Sequence, residues 1–248
     1  MTASVRLERE GHVGWLVFDN EPRRNALTAE MLDGTVDALA EAAKDDDVRV
    51  IVLRGAGDKA FVSGADISAF GSDTGVDRSR TGPVEVIESI ARLDKPVIAA
   101  LKGWCLGAGV LVALAADLRV AGDDVRMGIP AAKLGVAYPR EGVDRITALA
   151  GPAIASELLM TGEPYDAAAA LRVGLVNRVV AAADVFAAAT EVATTIAANA
   201  PLTLRASKLA IAGAPEVDEA IRACFTSDDF QEGQRAFAEK RPPRFNGR

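Results

Sequence analysis

The sequence predicts an α/β fold in which strand and helix units stack in a mainly parallel arrangement. Three observations predict it: short β-branched runs recur through the first two thirds of the chain, helical patterns lie between them, and three of the runs end alike. The strand runs are Val13 to Phe18, Val48 to Leu53, Pro96 to Leu101 and Leu118 to Ala121. Between the first two, Leu32, Val36, Leu39 and Ala43 fall at helical spacing, so one amphipathic helix links them. Asp45, Asp46 and Asp47 end that helix in solvent. The endings Arg54-Gly55, Lys102-Gly103 and Ala121-Gly122 read as one strand-and-turn unit used several times, without the fixed period of a solenoid.

Residues 71 to 82, rich in Gly, Ser and Asp, are the most loop-like stretch and a candidate mobile lid. From about Gly151 the sequence turns alanine-rich and helical, with one last strand-like run at Leu175 to Val180 and then helices to about residue 239. Small residues on several faces suit an oligomer interface, and an ordinary core would look similar.

Composition narrows the function. The chain has 248 residues, half of them hydrophobic and a quarter charged, as in a folded, water-exposed protein. Its longest apolar run, Val110 to Ala116, falls well short of the roughly 20 residues of a membrane helix. The start Met1-Thr2-Ala3-Ser4-Val5-Arg6 has no apolar segment behind a basic head, so the expectation is a cytoplasmic protein without a membrane partner. A net charge of −7 argues against nucleic acid as the main partner but leaves room for a small anion where cations cluster.

Several chemistries lack their parts. The single histidine, His12, precedes the first strand and reads as solvated or packing, so neither a Ser-His-Asp triad nor a multi-histidine metal site can be assembled. Cys105 and Cys224 have no metal-ligand spacing and read as small hydrophobes. No phosphate loop ending in Gly-Lys and no G-x-S-x-G elbow occurs. Gly107-Ala108-Gly109 resembles the start of a dinucleotide fingerprint, but the third glycine would fall at Val112, which makes nicotinamide binding a poor second reading.

Two loops stand out: Lys59 to Ile67, which includes Ser63-Gly64-Ala65-Asp66, and Gly103 to Gly109, which opens a very apolar helix. Each follows a strand and uses small residues where the backbone turns. Uncovered N–H groups result, as a site that donates hydrogen bonds to an oxyanion requires. The second loop adds a helix N-terminus, which favours negative charge. The alternative is that these glycines only allow tight strand-to-helix packing.

These loops sit in a wider pattern. Pro22-Arg23-Arg24-Asn25-Ala26-Leu27, Phe61-Val62-Ser63-Gly64-Ala65-Asp66 and Lys95 to Ala100 leading into Gly107-Ala108-Gly109 come in order. Gly151-Pro152, Thr161-Gly162, Ala170 to Asn177 and Glu239-Lys240-Arg241 follow. In this order and spacing the chain resembles the enoyl-CoA hydratase/isomerase (crotonase) superfamily over essentially its whole length. The resemblance implies a spiral of repeated β-β-α units over residues 1–195 and a helical oligomerisation region over residues 196–248, giving a homotrimer or homohexamer. It implies an acyl-CoA substrate and no separate cofactor, because the coenzyme A thioester is itself the substrate.

By the same resemblance, the N–H groups of Ala65 and Ala108 form the oxyanion hole. Arg24 and the backbone at Ala26 line the pantetheine and phosphates, while Ser63, Asp66 and Ile67 lie on the adenine side with Ala65. Trp104, Leu106, Gly107, Leu111, Ala131, Leu134 and Tyr138 border the substrate, and Phe237 and Lys240 reach the coenzyme, often from a neighbouring subunit. A lysine suits a phosphate as a compact point charge. The alternative is that Arg24 and Lys240 are solvated surface cations.

The pattern breaks at the acids. Hydratases of this superfamily use two glutamates to position water and exchange protons, and the aligned positions here are Leu111 and Ala131, neither of which transfers a proton. The nearest substitute is Glu141, in a loop that borders the acyl chain in relatives. Pointing inward and partly desolvated it would serve as a base, with Tyr138 assisting as a hydroxyl donor. Otherwise Glu141 only favours the first turn of its helix or pairs with Arg140 or Arg145, and Asp144 is a weaker candidate. Two readings follow: an enzyme doing one-base isomerisation or non-standard hydration of an enoyl-CoA, and a catalytically silent acyl-CoA-binding protein.

Overall fold

The computed structural model describes residues 3–66 and 82–248. Ile67 and nearly all of the proposed lid lie outside the described residues; Gly82, its last residue, caps the following helix.

The chain starts with an antiparallel pair, β1 (Ser4–Glu10) and β2 (Val13–Asp19), followed by helix α1 (Ala29–Lys44). Three strand-turn-strand units come next: β3 (Val50–Gly55) with β4 (Ala60–Val62), β5 (Val97–Leu101) with β6 (Trp104–Leu106), and β7 (Leu118–Gly122) with β8 (Arg126–Gly128). Helices α2 (Pro83–Arg92), α3 (Ala108–Ala115) and the short α4 (Ala131–Leu134) follow the three units in turn. The first strand of each unit enters a six-stranded sheet of order β1-β2-β3-β5-β7-β10, and the second enters a smaller sheet of order β4-β6-β8-β9. β9 is Tyr165–Asp166 and β10 is Arg178–Val180.

The glycines that close three of the predicted runs mark where the chain turns from one sheet to the other. At Gly103, φ is +57° and an added Cβ would lie 2.1 Å from the Lys59 carbonyl oxygen, so the crossing requires glycine. The expected reuse of one unit is thus present as β-β-α turns.

Strand side chains alternate, and both faces of the larger sheet are buried. On one face Leu16, Phe18, Ile51, Leu53, Val97, Ala99 and Leu101 join the main core with α1, α2 and α3. On the other, Val13, Trp15, Val17, Val50, Val52, Ile98 and Ala100 meet Val185, Ala189, Val192 and Ala193 of helix α8 (Val185–Ala197). Ala197 belongs to that second cluster, so a boundary at 195 falls inside α8.

The predicted helix between the first two strands is α1; Leu32 and Leu39 are buried as expected, but the stripe is completed by Met31, Thr35, Ala38 and Ala42, while Val36 is half-buried and Ala43 exposed. Thr35 is tolerated inside because its hydroxyl donates to the Met31 carbonyl at 2.7 Å. The run Leu175 to Val180 is strand only in its last three residues. Before them the chain turns around Arg119, whose buried guanidinium donates to the carbonyls of Leu175 (2.8 Å) and Ala116 (2.9 Å).

Helices α5 (Arg140–Ala150) and α6 (Pro152–Thr161) lie between β8 and β9, α7 (Ala167–Arg172) lies between β9 and β10, and α9 (Pro201–Ala212), α10 (Val217–Phe225) and α11 (Asp228–Glu239) end the chain. Among the described residues no helix is long and apolar enough to cross a membrane.

Candidate active site

The site is built where two loops touch. The first begins at Arg24 and Asn25, both left-handed with φ of 52° and 58°. Buried Asn25 fixes that turn: its side-chain oxygen accepts from the Asn20 N–H at 3.0 Å, and its amide donates to the carbonyls of Ala56 (3.0 Å) and Ala60 (2.9 Å). Asparagine suits the position because it tolerates the left-handed region. The segment is then laced to residues 63–66. Ser63 N–H donates to the Arg24 carbonyl (3.1 Å), Leu27 N–H to that of Gly64 (2.9 Å) and Asp66 N–H to that of Leu27 (2.8 Å). The Ser63 hydroxyl donates to the Arg23 carbonyl at 3.1 Å, and Arg23 pairs with the Asp66 carboxylate at 3.0 Å.

The second loop runs from β6 into α3. Gly107 takes φ 51° and ψ −112°, a conformation open to glycine, and donates its N–H to the Gly128 carbonyl at 2.9 Å. A Cβ added to Gly107 would lie 3.8 Å from the Gly64 Cα, so the two loops meet back to back at their glycines. Gly109 locks α3 onto β4, since a Cβ there would be 2.1 Å from the Val62 carbonyl oxygen.

The residues after the two glycines are Ala65 and Ala108. Leu27 exchanges its hydrogen bonds with Gly64 and Asp66, which leaves the intervening Ala65 N–H turned away. Ala108 is the first residue of α3, where an amide has no partner within the helix. Among the described residues neither N–H has an acceptor, and both residues are half-buried. Two free amides are therefore brought together beside a helix N-terminus, an arrangement able to stabilise a developing oxyanion.

The residues expected to line the site differ in exposure. Ser63, Asp66, Ala26, Trp104, Leu106 and Ala131 are half-buried and Leu111 is buried, while Arg24 and Leu134 are exposed. Leu111 packs against α5, since a Cβ on Gly142 would meet its Cδ2 at 2.2 Å and the Tyr138 ring at 2.7 Å.

Two residues meet other surroundings than a free, inward-facing acid or hydroxyl would have. Tyr138 is not free to serve a substrate, because its hydroxyl donates to the Gly107 carbonyl at 3.1 Å; burial pushes its phenol up, so it stays protonated. Glu141 is exposed in the first turn of α5 rather than desolvated, and among the described residues it pairs with neither Arg140, which holds Asp144 at 3.5 Å, nor Arg145, which donates to the Leu114 carbonyl at 2.8 Å. It adjoins Gly142 and hence the wall formed with Leu111 and Tyr138.

Phe237 and Lys240 are not brought to this site within one chain. Phe237 is 87% exposed and lines a groove of about 740 Å³ between α9, α10 and α11, to which neither loop contributes. Lys240 ends α11 in the left-handed conformation. The sequence reading missed the anchoring role of Asn25 and the Tyr138 bond to Gly107. An asparagine between Arg24 and Ala26 in a glycine-free turn is the signal for the first, whereas the second joins residues 31 apart and leaves no local trace.

Cys105 is buried, with its thiol pushed up by burial, and Cys224 is half-buried. His12 donates from Nδ1 to the Asp47 carbonyl, 2.8 Å away on the surface.

Known proteins share this arrangement of elements. The sequence pattern of the enoyl-CoA hydratase/isomerase family matches residues 8–248. A short-chain-enoyl-CoA hydratase from Clostridium acetobutylicum is 34% identical, covering 96% of this chain and 95% of that protein. A carnitinyl-CoA dehydratase from Salmonella enteritidis is 35% identical over the whole of both. The crystal structure of an enoyl-CoA hydratase from Bacillus anthracis superposes with a TM-score of 0.92 at 30% identity, covering 99% of this chain and all of that one. That of an enoyl-CoA hydratase/carnithine racemase from Magnetospirillum magneticum gives 0.90 at 32%, covering all of this chain and 97% of that one. With the pattern matched from β1 to the last residue and the same fold at this identity, the chain belongs to the enoyl-CoA hydratase/isomerase family.

Proposed function

We propose that this protein binds an acyl-CoA thioester and polarises its carbonyl between the N–H groups of Ala65 and Ala108, promoting one-base isomerisation or non-standard hydration of an enoyl-CoA. The observation that supports this reading is the close approach of Gly107 to Gly64, each followed by a residue whose amide has no acceptor among the described residues. As the α-carbon becomes enolate-like, the thioester oxygen gains charge, and each donor contributes roughly 2.7–4 kcal/mol to its stabilisation. Arg24 and Lys240 neutralise coenzyme phosphates, and no further cofactor takes part.

Leu111 and Ala131 set the reaction type. By the resemblance Leu111 stands where a hydratase carries an acid, and a buried leucine packed on Gly142 and Tyr138 moves no proton, which argues against two-glutamate water activation. Glu141, one residue from that wall, is the assigned base, and closure of a neighbouring element or subunit over α5 would supply the desolvation it needs. The exposure of Glu141 in the single chain favours a second reading, a silent acyl-CoA binder. Ultraviolet assays with crotonyl-CoA and a 3-enoyl-CoA separate them: turnover of either supports the enzyme, and tight binding without turnover supports the carrier.

The assembly we infer is a homotrimer or homohexamer, in the cytoplasm. Phe225, Phe230 and Phe237 stand 64%, 40% and 87% exposed on the groove between α9, α10 and α11, an apolar face that symmetric association would bury. Light scattering showing a monomer at micromolar concentration would overturn this assignment.

A further inference from the structure

We infer that Tyr138 is a positioning residue that acts on the Gly107–Ala108 peptide rather than on the substrate, and so sets the donor strength of the Ala108 amide. The inference rests on the oxyanion reading above. The carbonyl of Gly107 and the N–H of Ala108 belong to the same planar peptide unit, so a donor on the oxygen draws electron density from the nitrogen at the other end. That oxygen already accepts from Val110 N–H at 3.0 Å and Leu111 N–H at 3.3 Å, the first bonds of α3. The Tyr138 hydroxyl, at 3.1 Å, is a third donor and the one that comes from outside the helix.

Three features make this donor dependable. Burial pushes the phenol up, so its proton is not lost at any working pH. The ring is wedged beside Gly142, where even a methyl group would come within 2.7 Å of its edge. The preceding peptide unit is pinned by the Gly107 N–H on the Gly128 carbonyl, and the Gly107–Ala108 unit by the two α3 amides on its oxygen, so the plane has little freedom to answer except by polarisation. Tyr138 thereby links the α4–α5 segment, which carries Leu134 and Glu141, to the oxyanion amide. Movement of that segment would change the donor as well as the wall.

The test is infrared difference spectroscopy of crotonyl-CoA labelled with ¹³C at the carbonyl, bound to the full-length protein. Wild type is expected to lower the carbonyl frequency relative to free ligand. Tyr138→Phe, which keeps the ring packing, is expected to reduce that shift by roughly 10–30%, the scale of cooperative strengthening per hydrogen bond. Replacing Tyr138 by 3-fluorotyrosine, a more acidic phenol and stronger donor, should enlarge it. In turnover, Tyr138→Phe should lower kcat with KM unchanged. A wild-type shift that neither replacement alters would overturn the role of Tyr138 alone. No shift in wild type would overturn the oxyanion reading and this inference together. Should Tyr138→Phe fail to fold, the fluorotyrosine arm decides: an enlarged shift supports the inference and an unchanged one refutes it.

Discussion

Replacing Ala108 by proline deletes one amide hydrogen and sets the ring Cδ in its place, and the helix itself tolerates the change because of where Ala108 sits. It is the first residue of α3, a position at which proline is favoured since the N–H has no helical partner. The preceding Gly107 has ψ −112°, outside the α region that a following proline disfavours. Melting of Ala108→Pro should therefore stay within about 4 °C of wild type, the shift that roughly 1 kcal/mol produces in a chain of this size. Loss of one oxyanion donor costs roughly 2.7–4 kcal/mol in the transition state, or about 100- to 1,000-fold in kcat. For a protein that only binds, a ground-state hydrogen bond of about 0.5–1.5 kcal/mol predicts acyl-CoA affinity weaker by roughly two- to tenfold. Steady-state turnover and isothermal titration on the same preparation cover both cases. A folded Ala108→Pro protein with turnover and affinity within twofold of wild type would refute the assignment of this amide.

Three other perturbations bear on separate parts of the account. Glu141→Gln should keep acyl-CoA affinity and lower turnover by roughly a hundredfold, the scale of general-base catalysis, whereas an unchanged rate would remove Glu141 from the mechanism. Lys240→Ala should weaken CoA esters but not a pantetheine thioester lacking the nucleotide; equal loss for both would mean that Lys240 acts on folding or assembly. At the C-terminus, Arg241 at 2.6 Å and the Arg244 N–H at 2.9 Å draw the Glu232 carboxyl from 4.5 down to about 2. A depressed folded-state value stabilises the fold above 4.5 and loses that contribution as pH falls toward 2, so residues 241–248 should gain hydrogen exchange over this window. Glu232→Gln should show the same gain at neutral pH, and protection that is flat in both experiments would contradict this role of Glu232.

How legible this was in the sequence depended on element length and on what each residue touches. The long strands β2, β3, β5 and β7 are buried on both faces, so they read as continuous β-branched runs. The second sheet was invisible because β4, β6, β8 and β9 have only two or three residues each, too few for any period. β1 was hidden by its charge: Arg6 and Glu8 pair on the open face of an edge strand, Arg9 pairs with Asp47 near its end, and Val5 and Leu7 alone betray its buried side. The two donor loops could be found because free amides demand small residues and glycines, which leave a mark in sequence. The environment of Glu141 could not, since exposure is decided by packing of α5 on Leu111 through Gly142.

The central claim, that the Ala65 and Ala108 amides receive the thioester oxygen, is tested most directly by a crystal structure with a non-reactive acyl-CoA bound. The account predicts the carbonyl oxygen within about 2.7–3.1 Å of both backbone nitrogens, with the acyl chain passing Leu111 and Tyr138. A well-ordered thioester whose oxygen contacts neither amide would contradict it.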